Sequence, residues 1–466
     1  MSLSRLHPTK LVGFLVLGLC LGGSASADEL EVSASPSPVG SGARAAGMAD
    51  AFVAIADDAT AASWNPAGLI QLERPEISFV GSYNGVIDEF AANAHPEVDS
   101  QHSIHSIDLN YLSVVYPIPV LVLGRNAAVS LNYQRKYDFS REFDMRYRLD
   151  DRTSWGQSFV FDTRMDFEQK GGLSAITPAF AMEVTDRFSV GAALNLWRGS
   201  FLSDNGWTKT TRTRAVFEFA PIMDFSTVET YEEFRDFTGE NVTVGLLWNP
   251  TDKWSFGGRY DTSFTGKVKY SAQTIRTQFA NQGYPSQSFV SPVTRERRRV
   301  RFPSSFALGA AYRANDRLTV SLDVTRIDDW KDFYMKNAAG RRTSLIHAGP
   351  LNDPEQPRRH FHPTHTVRLG TEYVFIPDQP DETLDRLWTI RGGLFYDQEP
   401  STRHPDDFFG FALGGGLLWK QRVNIDLAYQ LRFGCDVNRD FIRGIEGFHE
   451  DVCQHRVLVS TVIYFP

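Results

Sequence analysis

The sequence is short of cysteine, of excess basic charge and of long apolar runs, and each shortage closes off a class of protein. Three cysteines in 466 residues exclude a small disulfide-built scaffold. Lys and Arg number 48 against 56 Asp and Glu, so nothing favours a nucleic acid as partner. Beyond residue 27 no apolar stretch approaches the ~20 residues that a spanning helix needs. Pro-rich, Ser-rich and Gly-rich spacers are missing as well, so the chain shows no linker of the kind that divides soluble proteins of this length. Aromatic side chains, by contrast, are plentiful: 13% of the chain, with 34 Phe.

The start reads as a secretory leader. Arg5 and Lys10 flank an apolar run from Leu11 to Leu21, and Ala25-Ser26-Ala27 supplies a small-x-small cleavage pattern. Residues 1–27 are expected to be a signal peptide, and bulky Leu19 argues against lipidation at Cys20. The remainder holds 46 basic and 56 acidic residues, a charge of −10. Cys435 and Cys453 stay behind as an even pair in an exported chain. A disulfide between them is expected, contributing ~3 kcal/mol by restricting the unfolded chain.

Apolar and polar residues alternate with period two, the signature of strands with one oily face. Val423, Ile425, Leu427, Tyr429, Leu431 and Phe433 alternate with Asn424, Asp426, Ala428, Gln430 and Arg432. The pattern predicts fourteen strands: 76–84, 105–117, 125–136, 171–183, 187–198, 239–248, 253–263, 300–312, 316–327, 362–375, 386–397, 408–419, 421–433 and 454–465. Their connections alternate between tight turns (Thr185-Asp186, Asn249 to Asp252, Ala314-Asn315, Lys420) and mostly long segments such as 137–170 and 199–238. Short turns at one rim and long loops at the other mark an outer-membrane barrel. A sheet can cross hydrocarbon only if it closes, because each unpaired backbone group there costs several kcal/mol. The expected fold is all-β: a 14-stranded antiparallel transmembrane β-barrel over 76–466. Tyr116, Trp197, Trp248, Trp254, Tyr373, Trp388, Trp419 and Tyr464 sit near strand ends and are expected to form interfacial girdles.

Residues 28–75 do not alternate. Gly40 to Met48, then Ala51 to Thr60 and Ala61 to Leu69, are dominated by small residues, which suit a compact, partly helical hatch inside the lumen. Asp57 is placed to cap a short helix, and Pro66 should end that helix at Asn65. Gly42-Ala43-Arg44-Ala45, Ala54-Ile55-Ala56-Asp57-Asp58-Ala59 and Asn65-Pro66-Ala67 resemble the hatch of the FadL-type outer-membrane transporters, whose TodX branch takes aromatic hydrocarbons. The resemblance implies passive uptake of hydrophobic small molecules, long-chain fatty acids or hydrocarbons. It further implies a ligand pocket above the hatch, hatch rearrangement, and lateral release through a gap near the third strand. Arg44, Asp57, Asp58, Asn65, Pro66 and Ala67 then become the hatch and gating residues.

Phe139, Phe143, Trp155, Phe159, Trp207, Phe217 and Phe219 put apolar surface on the long segments and are candidates for a ligand groove. Arg297, Arg298, Arg299 and Arg301 are candidates for lipopolysaccharide phosphates, because guanidinium pairs bidentately with phosphate. No cofactor, metal site or nucleophile arrangement is expected. Asp436 to Asp440 resembles the start of a calcium loop, but Phe441 and Gly447 stand where Gly and Glu are needed. The expected partners are a hydrophobic ligand and the outer-membrane lipid, and the chain is expected to act as a monomer and not as an enzyme. A scaffold barrel for adhesion or secretion is the alternative.

Overall fold

The computed structural model describes residues 31–466 apart from 35, 153–156, 201, 220–221, 280–284, 329, 348–360, 378–384, 403 and 440. The leader and Trp155 lie outside the described residues. Fourteen antiparallel strands close a barrel wall. They are β1 (Glu76–Ala92), β2 (Ser100–Pro117), β3 (Ala127–Asp138), β4 (Ser158–Thr185), β5 (Phe188–Trp197), β6 (Ile222–Trp248) and β7 (Trp254–Asp261). The ring continues through β8 (Ser305–Arg313), β9 (Leu318–Ile327), β10 (Thr364–Phe375), β11 (Arg386–Glu399), β12 (Asp406–Trp419), β13 (Val423–Val437) and β14 (Phe448–Tyr464). The ring closes where β14 pairs with β1, from Phe448 opposite Ala92 to Tyr464 opposite Glu76.

The wall is oily outside and polar inside. On β13, Ile425 and Leu427 are 48% and 56% exposed while Asp426 is buried. Leu308, Leu322, Leu369, Leu413 and Val459 repeat the outward pattern, and Ser78, Asn132, Thr177, Asn195 and Ser460 the inward one. A protein in water would pay for each exposed outward Leu, whereas lipid solvates it. Trp248, Trp254, Trp388, Trp419 and Tyr116 are exposed near the short-turn rim, as a girdle requires. Trp197 does not join them; it is buried and faces inward. At the β12–β13 turn, Lys420 and Gln421 have φ of 50° and 52°, the paired left-handed conformation whose twist matches a tight hairpin.

The long rim departs from expectation. Segments 137–170 and 199–238 are mostly strand, because β4 and β6 run for 28 and 27 residues. They rise past the barrel and pair with strands Arg141–Arg152 and Gly206–Phe219 in an upright sheet. Alternation simply continues there: Phe143, Met145 and Tyr147 are buried while Glu142, Asp144 and Arg146 are exposed. Strands Phe264–Gln278, Thr294–Phe302 and Tyr334–Lys336 extend that sheet. The segment expected as one strand over 300–312 is two, broken at Pro303, which has no N–H for a ladder.

The expected disulfide is absent: Cys435 and Cys453 are free thiols. Register explains this. Cys453 pairs with Phe433, and Cys435 falls in a bulge between Gly434 and Val437. Diagonal neighbours on a sheet stand ~7–8 Å apart at Cα, beyond the ~5.5–6 Å that most disulfides span.

Candidate functional site

The amino-terminal segment sits against the inner wall. It contains helices α1 (Ala43–Gly47) and α2 (Ala61–Trp64) and a 3₁₀ turn over Pro66–Gln71. Ala43, Ala45, Ala56, Ala59, Ala61 and Ala67 are fully buried. Asn65 ends α2 in an extended conformation, as Pro66 demands. Its Nδ2 donates to Val53 O and Leu246 O, each at 2.9 Å, and its Oδ1 accepts from Ala67 N at 3.2 Å. Ser189 Oγ on β5 donates to Ala67 O at 3.2 Å. The triplet thus touches β5 and β6 together. Asp57 does not cap α2: the N-cap position is Thr60, which makes no side-chain cap bond, and Asp58 accepts from Thr60 N at 2.8 Å in the turn before it.

Asp57 instead pairs with Arg44 at 2.6 Å, and Arg44 also reaches Glu372 on β10 at 2.9 Å. Glu372 meets Arg391 at 2.6 Å, which in turn meets Asp426 at 2.7 Å. A chain of alternating charge therefore runs from half-buried Asp57 and Arg44 into the buried Glu372, Arg391 and Asp426 on β10, β11 and β13. Removing Arg391 would strand its two buried carboxylates in a low-dielectric interior, a cost of ~3–5 kcal/mol. Sequence reasoning named Arg44 and Asp57 but missed the three wall partners. It also missed the wall glycines: a Cβ on Gly245 would overlap Asn65 Oδ1, one on Gly191 the Pro66 carbonyl, and one on Gly370 the Met48 carbonyl. An isolated Gly inside a strand signals close approach of another backbone, and that signal was available.

Beyond the segment lies a cavity of about 440 Å³, within the range of small-molecule sites. One side is aromatic. Phe302 stacks on Phe264 at 4.8 Å and lies 5.2 Å from Tyr137, and Trp197 stacks on Phe264 at 5.2 Å. The other side is polar, including Arg368, Asp397, Gln430 and Arg432. The floor includes Asp50 and Trp64 of the internal segment.

The wall is incomplete beside this cavity. The β2–β3 ladder covers only Tyr111–Pro117 against Ala128–Gln134. It stops between two bulges, one leaving Asn110 without a β1 partner and one leaving Lys136 without a β4 partner. Above that point residues 37–39 take the vacant edge of β3. Ser37 and Pro38 pair with Asp138 and Tyr137, and Val39 N donates to Lys136 O at 3.0 Å. Asn110 Nδ2 holds the next residue by donating to Gly40 O at 2.7 Å. Residues 37–40, Ser106, Lys136 and Tyr137 all line the cavity. Ser37 and Pro38 are exposed, and Ile107 nearby on β2 is 80% exposed.

The predicted groove residues do not form one surface. Phe139 lines the cavity and stacks on Trp207 at 4.3 Å. Phe143 packs in a separate core with Phe90, Phe167 and Phe441. Phe159 and Phe217 meet each other at 6.0 Å near the tip of the upright sheet, and the Phe219 side chain lies outside the described residues. The basic run also divides by strand parity. Arg297 and Arg299 are exposed, whereas Arg298 lies over the Tyr270 ring at 3.2 Å and pairs with Glu296. Arg301 pairs with Asp332 at 3.0 Å. Among the described residues no group of His, Cys, Asp and Glu is arranged to hold a metal ion.

A closed fourteen-stranded wall, apolar outside and carrying its own amino-terminal segment within, defines an outer-membrane barrel. The family described as outer membrane protein transport protein (OMPP1/FadL/TodX) matches residues 24–440, and the chain belongs to it. The protein is therefore an outer-membrane transport channel of Gram-negative type and not an enzyme. Its fold is similar to a Pseudomonas aeruginosa FadL homologue, at TM-score 0.59 and 15% identity, over 94% of this chain and 100% of that one. It is similar also to the Pseudomonas putida toluene transporter TodX, at TM-score 0.53 and 15% identity, over 93% and 100% of the two chains. The Ralstonia pickettii toluene transporter TbuX gives TM-score 0.51 at 15% identity, over 92% and 99%. A search of curated proteins by sequence returns no match.

Proposed function

We propose that the protein is a passive channel for hydrophobic small molecules, fatty acids or hydrocarbons, which it holds in the lumen and releases sideways between β2 and β3. One observation carries the reading: the aromatic cavity reaches the place where the wall ladder stops, and a short piece of the chain's own amino-terminal segment covers that place. The outer leaflet bars oily molecules by its polar headgroups, and an internal path lined by Phe302, Phe264 and Trp197 lowers that barrier without an energy source. Residues 37–39 act as the latch in this reading, and Asn65, Pro66 and Ala67 hold the hatch from which the latch extends. Pro38 suits a latch because a proline cannot donate to a ladder and so pairs on one edge only.

Ser37→Cys with Asp138→Cys, built on a background with both native cysteines replaced by Ser, tests the exit. A reducible thiol linker across that pair should cut uptake of a labelled fatty acid and of a labelled aromatic hydrocarbon at least tenfold, with recovery on reduction. Undiminished uptake in the linked protein would place the exit elsewhere. If the unlinked protein took up neither compound, the scaffold alternative would replace the transport reading.

A further inference from the structure

The upright sheet carries charge on its outer face in two contrasting arrangements. Near its edge Arg146, Arg164 and Arg214 also stand opposite one another in register, but each has a carboxylate: Arg164 meets Asp144 at 2.7 Å, and Arg146 and Arg214 hydrogen-bond Asp162 and Asp166, while neighbouring Arg212 meets Glu229 at 3.0 Å. Across β6 and the three strands beyond it the pattern differs: fewer carboxylates face the cations. Arg235 pairs in register with Lys269, and Lys269 with Arg297. One step lower, Lys267 pairs with Arg299, and Arg299 with Lys336. Among the described residues two carboxylates answer these six cations: Asp236 sits 2.7 Å from Lys269, and Glu233 3.4 Å from Arg235. Among the described residues Lys267, Arg297, Arg299 and Lys336 have no ion pair.

Like charges directly opposite each other on a sheet are destabilising, so two such rows call for an outside anion. The height of the rows says which. Along β6 the outward residues are Trp248, Leu246, Val244 and Val242, then the polar Glu240 and Thr238. Lys267 pairs with Thr238, four residues above Val242, or ~10 Å higher for a strand tilted by about 40°. That is headgroup level in the leaflet that meets the long-loop rim. The guanidinium groups of Arg297 and Arg299 can each hold a phosphate through two parallel bonds.

We propose that these two rows bind the phosphorylated headgroup of a lipid A molecule in the outer leaflet, fixing it against the outside of the wall. The site is independent of the transport path, because it faces away from the lumen. Native mass spectrometry of the full chain in detergent, with added lipid A, is the test. Wild-type protein should retain the bisphosphorylated lipid at least tenfold better than the same lipid stripped of both phosphates. The variant K269Q/R297Q/R299Q should lose at least tenfold in retention, while R146Q/R164Q/R214Q, on the paired part of the sheet, should match wild type. Equal retention of the stripped lipid by wild type overturns the proposal, whether or not any variant folds. So does equal retention by K269Q/R297Q/R299Q, an equal loss in the control variant, or displacement by millimolar inorganic phosphate alone, which would mark a free-anion site.

Discussion

Replacing Asn65 by Ala isolates the anchoring of the internal segment from the stability of the wall. The side chain is fully buried and satisfies Val53 O, Leu246 O and Ala67 N. Truncation leaves all three backbone groups without that partner and gives nothing in return. Two of the bonds tie the segment to itself and one ties it to β6, so at a net ~1 kcal/mol per bond local opening around residues 61–71 should become easier by ~3 kcal/mol. With 1.4 kcal/mol per tenfold, the locally opened population should rise by about two orders of magnitude. None of the three bonds belongs to the wall ladders, so the barrel should form in normal yield. Hydrogen exchange on the folded protein reads this directly. Amides of residues 61–71 should exchange about a hundredfold faster, wall amides on β5 and β6 should not change, and uptake should fall. Asn65→Asp keeps the acceptor but sets a carboxylate oxygen against the Val53 and Leu246 carbonyl oxygens in a buried site, so it should loosen the segment at least as much as Ala. Unchanged exchange in Asn65→Ala would refute the anchoring argument. Joint loss of barrel yield and uptake would reduce the triplet to a folding element.

Two further outcomes follow from the geometry. Gly245→Val places its side chain on Asn65 Oδ1 and Pro66 and should loosen the same segment from the wall side. Because the two sites are in contact, its effect on exchange should not add to that of Asn65→Ala, and full additivity would mean that they act separately. Cys435 is exposed and unbridged, so a maleimide should label it in the folded protein without prior reduction. Labelling that appears only after reduction would restore the disulfide.

The wall was legible because lipid on one side and a wet lumen on the other impose a strict two-residue period, which fourteen segments keep. What escaped the sequence lies where that period carries no label. Phe143 and Phe139 both read as apolar residues in a long connection, but only the register of the upright sheet decides that one joins an outer core and the other a cavity. Arg297, Arg298 and Arg299 look like one basic run, yet adjacent residues on a strand face opposite ways. Trp197 has the position of a girdle residue and the orientation of a cavity residue. The break between β2 and β3 depends on bulges at Asn110 and Lys136, and an extra residue in a strand leaves no compositional trace.

The internal segment was legible through its small residues, and the same residues fit the proposal that it is held and then released. An alanine buries little apolar area, so at ~25 cal/mol per Å² the contacts of α1 and α2 with the wall hold weakly beside those of a Leu- or Phe-rich plug. Alanine also loses no side-chain rotamer freedom on docking. Beyond a small core in which Met48, Phe52, Trp64 and Leu69 meet wall residues, the hold comes from directional bonds: Asn65 to Leu246, Ser189 to Ala67, Gln430 to Ala46 and Arg44 to Glu372. Such bonds fix one position sharply, and a lumen that admits water can replace them one at a time. A plug glued by large apolar side chains would have to expose all of them at once to move. The alanine-rich composition of residues 43–67 thus suits the release proposed for this segment.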